Sequence, residues 1–140
     1  MKPKFKRKLV FFLSINPYSQ DLCVVLNGQF SDAIAEIRKL KTENAKSIVN
    51  FYEENKEIYK NDHEVGKGCA KLFTELPVGY VMLIEHCDSW IESVGLVVHE
   101  SLHLVHYILR RAGIDLCKDS EEAFTYLQEK IVEDILAKMY

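Results

Sequence analysis

The segment from about Trp90 to Ala112 constrains this chain more than any other. Its apolar residues recur at helical spacing, and Gly113 follows where a helix needs a left-handed stop. Arg110 and Arg111 sit in the last turn, where cations favour the helix dipole, and Asp88 or Ser89 can cap the start. A helix this long must lie against a second layer to cover its apolar side. Val94, Val97, Val98, Leu102, Val105 and Leu109 are the expected core face. At the centre stands His99-Glu100-Ser101-Leu102-His103, the pattern H-E-x-x-H. Residues four apart share a helical face about 6 Å apart along the axis, so both imidazoles can meet one metal ion. Glu100 lies beside that face and can reach a metal-bound water without being a ligand.

The rest of the chain supplies the second layer. Lys8 to Asn16 and Leu22 to Leu26 are short Val-, Phe- and Leu-rich runs joined by Asn-Pro turn chemistry, and read as two strands. Ser31-Asp32 can cap a helix starting near Ala33. Ala33, Ile34, Ile37 and Leu40, then Ala45, Ile48, Val49, Phe51 and Tyr52, keep helical spacing as one long helix or two short ones, fading near Lys60. Cys69 to Phe73 and Gly79 to Glu85 flank Glu75-Leu76-Pro77-Val78 as a hairpin, with Val81 to Ile84 apolar enough for an interior strand. A last helix, capped by Asp119 or Ser120, carries Ala123, Leu127, Ile131 and Ile135. The expected architecture is α+β: one domain over residues 1–140, a small mixed or antiparallel sheet packed on three to four helices.

A catalytic zinc takes three protein ligands and keeps one position for water. His99 and His103 give two, and Glu121 or Glu122, in the first turn of the last helix, can give the third. A short loop makes the two helices neighbours. His106 shares roughly the same face but does not stand at a third-ligand spacing, since Leu109 occupies that place; it reads as lining the site. His63 and His86 have no motif partners, and solvated or structural roles are expected for them.

The pairing of His99-Glu100-x-x-His103 with Ser120-Glu121-Glu122-Ala123-Phe124-Thr125-Tyr126-Leu127 resembles the gluzincin branch of zinc metallopeptidases. It is most similar to the small zincin-like proteins encoded by bacteriophages, in which T/S-E-A-x-x-Y-L follows the H-E-x-x-H helix. The resemblance covers about residues 78 to 130. It implies a minimal zincin-like fold and Zn2+ as cofactor. His99, His103 and Glu122 would be ligands, with Glu121 the fallback, and Glu100 the general base and later proton donor. It further implies a peptide or protein substrate lying along a sheet edge, with Gly79 to Glu85 the candidate strand beside the motif helix. A Tyr or His would stabilise the oxyanion; Tyr80, His106, Tyr107 and Tyr126 are candidates.

Composition narrows the alternatives. Net charge is −3, so no global electrostatic case exists for nucleic acid. Lys2, Lys4, Lys6, Arg7 and Lys8 crowd the start, a cluster that more often keeps a terminal strand soluble. The apolar run Leu9 to Leu13 is short for a signal peptide and lacks a small-x-small cleavage site; no run approaches the ~18 apolar residues of a membrane span. Cys23, Cys69, Cys87 and Cys117 follow no C-x-x-C spacing and lie in or beside apolar stretches, which suits reduced thiols in a cytoplasm, the host's if the gene is a phage's. Two rivals stay in play: a zincin-fold protein acting by binding a host or virion partner, and a nucleic-acid accessory protein using the basic start.

Overall fold

The computed structural model describes residues 8–16, 18, 20–57, 59, 70–85 and 90–140. Among these, strands β1 (Leu9–Ile15) and β2 (Gln20–Leu26) lead into helices α1 (Phe30–Arg38) and α2 (Glu43–Glu54). Strands β3 (Ala70–Phe73) and β4 (Tyr80–Ile84) follow, then helices α3 (Trp90–Arg111) and α4 (Glu121–Met139). The fold is α+β, with one four-stranded mixed sheet in the order β1-β2-β4-β3. Two antiparallel hairpins, β1–β2 and β3–β4, are joined by a parallel seam between β2 and β4.

The seam forms where both strands are buried on both sides. Leu22 to Leu26 and Tyr80 to Ile84 have no exposed residue, the near-continuous apolar signature of interior parallel strands. Alternation then divides them. Leu22, Val24, Leu26, Tyr80, Met82 and Ile84 pack with α3 and α4, whereas Cys23, Val25, Val81 and Leu83 pack with α1 and α2. The result is a sheet between two helical layers. Gly79 enters β4 at φ +75°, and a Cβ there would stand 2.8 Å from the Asp21 carbonyl oxygen, so glycine is required at this close approach.

Local starts and stops differ from expectation in instructive places. Helix α1 begins at Phe30, not near Ala33, because Gln29 and Asp32 form a reciprocal capping box; Asp32 is a third-position residue rather than the cap. The Asp32 carboxylate accepts from the Gln29 backbone N–H at 2.7 Å and pairs with Lys8 at 2.9 Å. The helical stretch divides in two at Lys41, whose φ is +55°, and Thr42 restarts it by accepting from the Ala45 N–H at 3.1 Å. Gly113 ends α3 as the sequence predicts, at φ +79°. Ile114 N–H donates to Leu109 and Gly113 N–H to Arg110, a Schellman closure. Ser120 stands at the start of α4, but its hydroxyl turns back to the Asp115 carbonyl and to the Cys117 N–H instead of capping the helix.

The interior strand expected at Val81 to Ile84 is β4, and among the described strands β3 is the edge beside it. Both strands contact α3. The proposed helix caps Asp88 and Ser89, the basic residues Lys2 to Arg7, and His63, Cys69, His86 and Cys87 lie outside the described residues. Among the described residues no helix is long and apolar enough to cross a membrane.

Candidate metal centre

The motif residues occupy the middle of α3, and the helix sorts them by direction. Ser93, Val97, Ser101, Leu104 and Ile108 are buried, with Val97, Ser101 and Leu104 fully so. His99 and His103 lie on the opposite, exposed side. The expected core face was set wrongly at two positions. Val98 and Leu102 are 40% and 43% exposed, their side chains left outside the core although α4 reaches the Val98 backbone. Val97, Val105 and Leu109 are buried as expected.

On this outer face the two imidazoles converge. Their Nε2 atoms are 3.2 Å apart, with ring centroids 4.9 Å apart and planes inclined at 69°. Two nitrogens bound to one tetrahedral zinc, at bonds of ~2.0–2.1 Å, stand about 3.3 Å apart. The separation of the pair thus matches that of two corners of a zinc tetrahedron. The same gap can be bridged by a single proton, one ring donating and the other accepting.

Glu100 takes a different direction. One residue past His99 turns it about 100° around the axis, and that turn carries it off the open face. It is 9% exposed and flanks His103 at about 60° of rotation, on the packed side. Ser101, within the motif, is fully buried, and its Oγ has no hydrogen-bond partner among the described residues.

The expected third ligand stays apart. Glu122 is exposed in the first turn of α4, where its carbonyl accepts from the Thr125 hydroxyl at 3.0 Å; Glu121 is exposed beside it. Among the described residues no three His, Cys, Asp or Glu side chains form a group able to hold a metal ion. The two helices do pack together, and α4 meets the motif through other residues. Gln128 donates to the Val98 carbonyl at 3.3 Å, and Phe124 meets the His106 ring at 4.8 Å and 65°. His106 is thus half-buried against α4. Gln128 was invisible to sequence reasoning, since a lone amide on a helix gives no motif.

The oxyanion candidates separate as well. Tyr126 is 67% exposed on α4. Tyr80 is buried, edge-on to Tyr107 at 5.7 Å, toward the carboxyl end of α3.

Cys117, expected as a reduced thiol beside an apolar stretch, is free. It is exposed in the turn between α3 and α4. The Ser120 hydroxyl and the Asp119 and Ser120 backbone hold its thiol below the usual range. Cys23 is the opposite case: burial, then the charge of Glu36, pushes it up to about 12.

Comparison of the chain with family models, with curated proteins and with solved structures gives no match in any of the three.

Proposed function

We propose that this chain is a zinc-dependent hydrolase of the metallopeptidase kind, with His99 and His103 as the first two metal ligands and Glu100 as general base. The observation that carries the reading is the 3.2 Å separation of the two Nε2 atoms on an open helical face. Bound there, zinc would supply Lewis acidity to a water and to a substrate carbonyl. His99 and His103 bind through Nε2, and the rigidity of one helix holds their spacing. Glu100 flanks His103 and would take a proton from the attacking water, then return it to the leaving amine. Glu122 is the proposed third ligand, which requires the first turn of α4 to approach the outer face of α3. The β3 edge, which contacts α3, is where an extended peptide can add by backbone pairing.

A second reading is favoured by two observations. Glu100 is packed away from the open face, and Glu122 stands outside any metal-holding group. On that reading the His pair holds a metal within a surface that binds a host or virion protein, and no peptide is cut.

Metal content by elemental mass spectrometry on tag-free protein tests the first step. About one zinc per chain, lost in Glu122→Ala and kept in Glu121→Ala, supports the three-ligand site. No zinc after reconstitution with stoichiometric metal defeats both readings. With metal bound, Glu100→Gln then divides them: the substitution removes the base and leaves every proposed ligand, so biological activity is lost in a peptidase and kept in a binding protein.

A further inference from the structure

The carboxyl end of α3 carries a second chemistry, away from the histidines. Tyr18, Gln20, Tyr80, Ile108, Arg111 and Ala112 line an open cavity of about 300 Å3. They come from the β1–β2 turn, the start of β2, the start of β4 and the last turns of α3. Among the described residues no carboxylate lines it. Four of the six residues carry polar side chains that can donate hydrogen bonds, and one of those is a cation.

Arg111 stands beside neutral groups. Its guanidinium carbon stands 5.9 Å from the centre of the Tyr107 ring, and, against the larger upward push of burial, its charge acts on the Tyr80 hydroxyl to pull its pKa down. Tyr107 is itself held edge-on to the buried Tyr80 ring at 5.7 Å. The neighbouring Arg110 instead pairs with Asp115, at 3.7 Å, and Arg38 with Glu53, at 2.9 Å. Among the described residues Arg111 makes no ion pair with a carboxylate, which leaves its charge open to a ligand. A guanidinium over one aromatic ring and beside a phenol offers N–H donors in a planar fork, the geometry that matches a carboxylate.

The nearby helix end does not cancel this. A carboxyl terminus repels anions through unsatisfied carbonyls. Here the Ile108, Leu109 and Arg110 carbonyls accept from Ala112, Ile114 and Gly113, so the last turn presents few bare oxygens.

The geometry points to a binding site for a small organic carboxylate, with Arg111 gripping the carboxylate and Tyr18 and Gln20 adding donors. Ile108 and Ala112 give an apolar wall for a short carbon body, which favours a carboxylate with a ring or short chain over a compact inorganic oxyanion. The site is independent of the metal: its residues include neither motif histidine.

Benzoate titrated into the full chain, followed by amide chemical shifts and calorimetry, tests it. Saturable shifts at Gln20, Tyr80 and Arg111 are expected. Affinity should fall at least tenfold in Arg111→Lys, which keeps charge but loses the fork, and vanish in Arg111→Gln. Arg110→Gln should bind as wild type, and thermal melts should show every variant folded. An equal loss in Arg110→Gln would mean diffuse positive charge at the helix end and overturn the site. So would unchanged benzoate affinity in Arg111→Gln, or inorganic phosphate binding as tightly as benzoate.

Discussion

The two faces of the sheet are built to different rules. Against α1 and α2, the described core residues are apolar or aromatic. Phe30 is fully buried among Tyr52, Tyr59 and Phe73, at centroid distances of 5.5, 4.7 and 4.8 Å. Polar residues on these helices point outward and pair on the surface, as Arg38 with Glu53 and Lys46 with Glu43. Against α3 the rule breaks. Ser93, Glu100 and Ser101, the buried polar residues among those described, all belong to this helix. A core that only needed stability would place apolar side chains there, since burying a hydroxyl or carboxylate costs free energy unless it is well paired. Such local violations gather where a protein keeps chemistry. The comparison teaches that one layer supports and the other is specialised.

Thiol chemistry should separate the faces most. At pH 8, Cys23 should resist iodoacetamide while Cys117 reacts at least ~10^3-fold faster, since only the thiolate attacks and Cys23 is also covered. Peptide mapping by mass spectrometry reads this. Because the Cys117 thiol is held low, its rate should rise with pH earlier than an ordinary thiol's; comparable labelling of both cysteines would break the contrast.

Next in size is the supporting layer. Phe30→Ala should cost about 3–5 kcal/mol in urea unfolding, as an aromatic deleted from a packed core does. Metal affinity per folded molecule should hold, and a drop in it would show that the two layers are coupled. The specialised layer gives the reverse pattern. His103→Ala should weaken zinc binding at least ~100-fold, about 2.7 kcal/mol, while stability without metal stays within about 0.5 kcal/mol for this exposed residue. Competition against a chromophoric zinc chelator measures the first and a thermal melt the second.

Ser101→Ala sharpens the argument at the smallest scale. Its Oγ is buried without a partner among the described residues, so removal should be neutral or stabilising by up to ~1 kcal/mol. A loss above that size would mean that the hydroxyl has a structural partner and that the polar lining of α3 is a stability device.

The sequence made the helix at Trp90, its Gly113 stop, the first two strands and the β3–β4 hairpin readable, because glycine and apolar runs act locally. It also put both histidines on one face. What stayed hidden depended on neighbours distant in the chain. Val98 and Leu102 have the composition of core residues, and the way α3 packs on the sheet and on α4 decides that they stay outside. Glu122 has the right chemistry in the right helix, yet the side chains that meet the motif are Gln128 and Phe124. The parallel pairing of β2 with β4, which makes β3 the edge, follows from no local pattern either.

That parallel seam has a consequence for the order of folding. Leu22 pairs with Tyr80 across a long intervening stretch, so closing the seam carries a large loop entropy and should come late. The apolar floor on which α3 rests is drawn from both seam strands and is incomplete until then. The histidine pair needs none of this, since its spacing is set within a single turn of helix. A metal ion could therefore grip a nascent α3 before the sheet exists, and folding in its presence would begin from the specialised layer.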